Sequence, residues 1–213
     1  MNSNMGKEAW RIMNKIKMCG LSSKEDIEAA NEIRPDYIGF VFAKKSRRYV
    51  TYEQAAELRK LLDPAIKAVG VFTDPTISDV EELLANNVID MVQLHGTESE
   101  HFTKAVKTLC KCPVIKTYKV KTVEDIRDAE ESCADYILFD SGAGTGNVFD
   151  WNLLKEFRRP YFLAGGLNPD NVSEAVERLD PFCLDVSSGI ETNGRKDKNK
   201  MDAFSKAVRK ELI

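Results

Sequence analysis

The chain has 213 residues, of which 43% are apolar and 31% charged, a balance that excludes a disordered polymer and fits one globular domain with a sizeable core. Its 31 basic and 34 acidic side chains give a formal charge of −3 and are spread without long blocks, so neither nucleic acid nor an anionic membrane surface is an expected partner. The longest apolar stretch, Tyr37 to Ala43, is far too short to span a bilayer, and a small-molecule partner is expected.

Five cysteines, Cys19, Cys110, Cys112, Cys133 and Cys183, are odd in number and scattered through apolar segments, which fits a reducing, cytoplasmic compartment. Cys110 and Cys112 lack a second Cys or His pair at zinc-finger spacing and read as core packing. Residues 1–14 carry Lys7, Glu8 and Arg11 with no apolar run. They read as an N-terminal extension, helical or disordered, and not as a secretory signal.

From Lys15 onward, short β-branched or aromatic runs alternate with stretches of helical periodicity. The first strand is expected over Lys15–Cys19, before a helix opened by a capping box of Ser22 with Glu25. Strands follow over Asp36–Phe42 and Ile66–Phe72, the latter before a second box, Ser78 with Glu81. Met91–His95, Val114–Val120 and Asp135–Asp140 continue the series. Tyr161–Ala164 precedes Asn168-Pro169, read as N-cap and first helical residue. Phe182–Val186 is the eighth strand, and a last helix over about 199–212 puts Met201, Phe204, Ala207 and Val208 on one stripe.

Eight strands separated by helices require parallel pairing with right-handed crossovers, and they close most economically as an α/β, single-domain (β/α)8 TIM barrel spanning 15–213. A doubly wound open sheet is the alternative, but no topological reversal is visible. In such a barrel the active site lies at the C-terminal strand ends. The polar residues there are Cys19, Arg47 and Arg48, Asp74, Gln93 with His95, Asp140, and the turns after strands 7 and 8.

Those two turns, Ala164-Gly165-Gly166-Leu167-Asn168 and Asp185-Val186-Ser187-Ser188-Gly189, carry the strongest local signal. Glycine lets backbone N–H groups approach phosphate oxygens and serine adds hydroxyl donors; tight βα turns that need glycine for positive φ are the plainer reading of either alone. The segment from Ser141 to Asn147 is glycine-rich without matching G-x-G-x-x-G. It reads as a lid over the barrel mouth ahead of Asp150 as N-cap, or as a flexible connection.

Several segments in order carry a resemblance: Lys15-Ile16-Lys17-Met18-Cys19-Gly20, Gly39-Phe40-Val41-Phe42, Ser46-Arg47-Arg48-Tyr49, Val69-Gly70-Val71-Phe72 and Val92-Gln93-Leu94-His95-Gly96. Phe139-Asp140-Ser141, Gly144-Thr145-Gly146, Phe149-Asp150-Trp151 and the two phosphate-type turns, continued through Leu167-Asn168-Pro169 and Ile190-Glu191, complete the set. From Lys15 to the end the chain resembles the phosphoribosylanthranilate isomerases. Met18, in place of a branched aliphatic residue, and Ala143, in place of a glycine, depart from the family pattern.

The resemblance implies an Amadori rearrangement of N-(5′-phosphoribosyl)anthranilate in tryptophan biosynthesis, by acid–base catalysis with no metal or organic cofactor. It puts the general base on Cys19, the general acid on Asp140, and the grip on the substrate carboxylate on Arg48. Phosphate falls to Gly165, Gly166, Ser187, Ser188 and Gly189, while Asp185 and Gln93 are candidates for substrate hydroxyls. Without the resemblance, Cys19 reads as an inert core cysteine and Arg48 as a solvated loop residue. Arg47 is expected at the surface, His101 on the surface of the fourth helix, and His95 either at the pocket wall or satisfied in the core.

The thiol must be lowered by local charge or by the first helix dipole to serve as base, and the carboxyl raised to serve as acid. Rival readings are the histidine-pathway aminoaldose isomerase, which uses an aspartate base after strand 1, a bifunctional version, indole-glycerol-phosphate synthase, and a non-catalytic phosphosugar-binding barrel. Oligomeric state stays open between monomer and homodimer.

Overall fold

In the computed structural model, which describes residues 14–140, 150–155 and 157–209, eight parallel strands close into a barrel in which the last strand pairs with the first. They are β1 (Lys15–Cys19), β2 (Tyr37–Val41), β3 (Lys67–Phe72), β4 (Met91–Leu94), β5 (Val114–Lys119), β6 (Tyr136–Asp140), β7 (Tyr161–Leu163) and β8 (Cys183–Val186). Each lies inside the segment its sequence predicts. Asn14 ties the start of the barrel to its base, its amide donating to Pro181 O at 2.6 Å and Asp180 Oδ1 at 3.1 Å; the rest of the expected extension lies outside the described residues.

The outer ring consists of α1 (Lys24–Ile33), α2 (Tyr52–Leu61), α3 (Ile77–Ala85), α4 (Glu100–Cys110), α5 (Val123–Glu131), α6 (Val172–Leu179) and α7 (Lys198–Arg209). Among the described residues the β6–β7 connection holds a single 3-10 turn, Trp151–Leu154, with Asp150 as its N-cap accepting from the Asn152 N–H. The glycine-rich segment proposed as a lid lies outside the described residues. No described helix is long and apolar enough to cross a membrane.

Three helix starts differ from the sequence reading. The capping boxes are Ser23 with Asp26 and Thr76 with Asp79, each using an aspartate at the third position where a glutamate was expected. The sixth helix starts after Asn171, not Asn168. Asn168 Oδ1 instead accepts from the Asp170 and Asn171 N–H groups at 2.8 and 3.2 Å, a side-chain turn that delays the helix. The last helix keeps its stripe, with Met201, Phe204 and Val208 buried and Ala207 packed against them.

Both faces of every barrel strand are buried, so alternate residues serve two cores. Ile16, Met18, Ile38, Phe40 and Phe139 face the helices. Val69, Val71, Met91, Ile115, Leu138 and Phe162 fill the lumen. At its N-terminal end the lumen is closed by packed rings: Tyr37 on Phe162 at 5.6 Å between centroids and Tyr136 on Phe182 at 5.2 Å. Cys110 and Cys112 are free, half-buried and packed against the outer core.

One element was not anticipated. After β8 a short hairpin, β9 (Glu191–Thr192) and β10 (Arg195–Lys196), pairs Lys196 with Glu191. Asn193 and Gly194, at φ 52° and 79°, make its two-residue turn, for which Asn-Gly is the strongest sequence signal.

Candidate active site

Cys19 ends β1 with its side chain on the lumen face, two residues after Lys17. Room for the sulfur comes from β2, where a Cβ on Gly39 would stand 2.8 Å from Cys19 Sγ. Lys17, 0% exposed, sits beside Asp185 in the β1–β8 register, and its Nζ donates to both carboxylate oxygens at 3.0 Å. Burial works against the Lys17 charge, but Asp185, Cys19 and Cys183 outweigh it and hold the ammonium above its ordinary range. Asp185 is pushed up by burial and pulled back by Lys17.

The Cys19 thiol is likewise raised, first by burial and then by Asp185, against the pull of Lys17 and Lys196. Local charge therefore moderates the thiol without lowering it below its usual range. The cations that favour the thiolate are these two lysines, and they do not bring about the lowering that the sequence reading required of a base.

Asp140 ends β6. His95, directly after β4, places Nε2 3.6 Å from Asp140 Oδ2. On its other side His95 Nδ1 lies 3.1 Å from Gln93 Nε2 and 3.2 Å from Thr117 Oγ1. Burial lowers the imidazole against the opposing pull of Asp140, which favours a neutral ring. With the Gln93 amide nitrogen toward Nδ1, a neutral ring carries its proton on Nε2, on the Asp140 side, at a separation longer than a hydrogen bond. His95 thus lines the cavity beside Asp140. Gln93 is spent on this chain, and its Oε1 is buried without a partner among the described residues.

The turns after β7 and β8 interlock. Gly165 and Gly166 take φ of 90° and 68°, conformations open to glycine. The Gly166 carbonyl accepts from Asn171 Nδ2 at 3.0 Å. A Cβ on Gly189 would stand 1.9 Å from Leu167 O, so only glycine lets the two turns touch. Among the described residues no acceptor takes the N–H groups of Gly165, Gly166, Ser188 or Gly189. The Ser187 hydroxyl donates to Cys19 O at 3.0 Å, tying the turn after β8 to the C-terminal end of β1, while Ser188 is exposed.

Arg48 is not a solvated residue. Its stem runs over Gly20, where a Cβ would come 2.3 Å from Arg48 Cδ. Its Nε and Nη2 donate to Glu191 Oε1 at 2.6 Å and Oε2 at 3.1 Å. Arg47, 59% exposed, reaches the same carboxylate, and Lys196 Nζ donates to Glu191 Oε1 at 2.9 Å and to Ser187 O at 2.9 Å. His101 is exposed on α4.

All of these strand ends open on one cavity of about 700 Å³, lined by Cys19, Arg48, Gln93, His95, Asp140, Gly165, Gly166, Asp185, Ser187 and Ser188 among others. Gly189 is not among the lining residues; it packs against Leu167, which is. The family model described as N-(5′-phosphoribosyl)anthranilate (PRA) isomerase matches residues 16–207. The chain belongs to the phosphoribosylanthranilate isomerase family. A phosphoribosylanthranilate isomerase of Endomicrobium trichonymphae is 47% identical over 202 residues, 92% of this chain and 99% of that one. The crystal structure of the Thermotoga maritima phosphoribosylanthranilate isomerase superposes with a TM-score of 0.86 at 34% identity, covering 94% of this chain and all of that one. A phosphoribosylanthranilate isomerase solved with reduced 1-(o-carboxyphenylamino)-1-deoxyribulose 5-phosphate matches at a TM-score of 0.84, also at 34% identity, over 94% of this chain and all of its own.

Sequence reading missed three residues of this site. Lys17 and Lys196 escaped because a lysine in a strand or loop ordinarily reads as solvated. Glu191 was quoted in a motif without a role, since two of its cationic partners, Arg47 and Arg48, lie 144 and 143 positions away in the β2 loop.

Proposed function

We propose that Cys19 and Asp140 divide the two proton transfers of phosphoribosylanthranilate isomerisation, with phosphate held at the turns after β7 and β8 and the anthranilate carboxylate at Arg48. The observation that carries this reading is the ring order β6, β7, β8, β1, β2: acid, unpartnered N–H groups, base and guanidinium follow one another around a single mouth. Phosphate on the central turns leaves the ribose between Asp140 and Cys19, with the aromatic acid toward Arg48.

Asp140 delivers a proton to the ribose ring oxygen as the C1′–O bond breaks, and the anilino nitrogen lone pair forms the C1′=N bond. His95 Nε2–H steadies the carboxylate left behind. The Cys19 thiolate then takes the C2′ proton, the C–H pair becomes the C1′=C2′ bond, and nitrogen regains its lone pair. The enolamine tautomerises to the ketone, 1-(o-carboxyphenylamino)-1-deoxyribulose 5-phosphate. Asp185, clamped by Lys17, lines the wall with acceptor capacity left for a substrate hydroxyl, whereas Gln93 acts only through His95 and Thr117, its Oε1 being buried.

The test is substrate turnover by Cys19→Ser and Asp140→Asn, followed by the fluorescence of phosphoribosylanthranilate. Both are expected to lose nearly all activity while binding the reduced product analogue. A well-folded Cys19→Ser protein that keeps most of its activity at neutral pH removes the thiolate base, and near-normal turnover by Asp140→Asn removes the acid.

A further inference from the structure

We infer that Glu191 is a positioning residue for substrate specificity: it holds Arg48 by one edge of the guanidinium so that the other edge faces the anthranilate carboxylate. This rests on the reading of Arg48 given above. Glu191 occupies the Nε and Nη2 side of the guanidinium at 2.6 and 3.1 Å. The end edge, formed by Nη1 and the second Nη2 proton, has no partner among the described residues, and Arg48 lines the cavity. A guanidinium carries five donors in a rigid fork, so one carboxylate on its side leaves a complete bidentate face for another.

Two carboxylates on one arginine repel unless other cations are present. Here Arg47 at 2.6 Å and Lys196 at 2.9 Å share the Glu191 charge, so three cations face one anion and the cluster stays net positive for an incoming acid. The Glu191 carboxylate is 4% exposed, and its partners outweigh the burial that opposes ionisation, holding it below its ordinary range. The Lys200 ammonium holds its carbonyl at 2.8 Å. The notch at Gly20 fixes the arginine stem from below. The site therefore selects for an anionic substituent on the aglycone, with β9 and the β2 loop acting as one jaw.

The test measures affinity by calorimetry for two ligands, reduced 1-(o-carboxyphenylamino)-1-deoxyribulose 5-phosphate and the same compound with hydrogen in place of the carboxyl group. Glu191→Gln is expected to weaken the carboxylated ligand about tenfold, a loss of about 1.4 kcal/mol, and the other less than twofold; KM should rise more than kcat falls. Equal losses for both ligands would mean that Glu191 merely supports the loops and would overturn the inference. Arg48→Ala separates the two layers. If it leaves the carboxylate preference intact, the reading of Arg48 fails; if it abolishes the preference while Glu191→Gln does not alter it, Glu191 alone loses its role. Should Glu191→Gln fail to fold, Glu191→Asp, which keeps the charge but withdraws it by one methylene, is expected to give a smaller loss confined to the carboxylated ligand, and an unselective loss would again overturn the inference.

Discussion

Cys19 is held between burial and Asp185, which disfavour its thiolate, and Lys17 with Lys196, which favour it. A base raised in this way is scarce as thiolate at neutral pH but strong once formed, so kcat/KM is expected to climb with pH into the alkaline range, in step with alkylation of Cys19 by iodoacetamide. Lys17→Met removes the largest favourable charge, and Asp185, left buried without its partner, becomes protonated. The alkylation midpoint should move up, each unit costing about tenfold in thiolate at a fixed lower pH. An unmoved midpoint in a folded Lys17→Met protein would assign the thiolate to Lys196 alone. Cys19 and Asp140 were legible as candidates because each ends a strand, and Arg48 because it stands in the loop after β2, while the roles proposed for them came from the resemblance. Lys17 was not, because K-I-K-M-C alternates like a strand with one wet face, and only closure of the barrel turns that face inward onto a residue 168 positions away.

At the scale of elements, the eight strands were legible from their β-branched and aromatic runs, whereas helix starts slipped by one to three residues. The cause is local redundancy: Ser22-Ser23 and Thr76 with Ser78 both offer a hydroxyl three residues before an acid, and backbone conformation alone decides between them. The loops are tied by contacts no periodicity reveals. Glu98, 3% exposed at its side chain, accepts from Lys116 Nζ at 2.6 Å and from the Asp74 and Gly96 N–H groups at 3.0 and 3.1 Å, joining the ends of β3 and β4 to β5. Burial raises its carboxyl, but Lys116 and the Asp74 N–H overcome this and the group titrates low. Its stabilisation is therefore present above the ordinary glutamate value and lost as pH falls through the depressed one. Glu98→Gln, which strands the Lys116 charge, is expected to cost about 3 kcal/mol in denaturant unfolding at neutral pH. The deficit should shrink toward acid, and one that stayed constant from neutral to acid pH would deny the carboxylate its role.

For the whole molecule, the lumen is stacked in three tiers: aromatic rings at the base, the Lys17–Asp185 pair at the waist, and the open cavity above. The pair joins the first strand to the last, and this has a consequence for synthesis. At roughly 5–20 residues per second on a ribosome, the 168 residues between the partners take roughly 8–34 s to follow. For that interval Lys17 is an unmatched cation on a strand whose second neighbour does not yet exist, and it must stay in water. It then acts as a gatekeeper, since a charged residue on an unpaired strand discourages pairing with another nascent chain. Ribosome-bound chains stalled before Cys183 should therefore label at Lys17 with an amine reagent, and released full-length chains should not. Protection in the stalled chains would mean that the lysine finds a provisional partner before its aspartate is made.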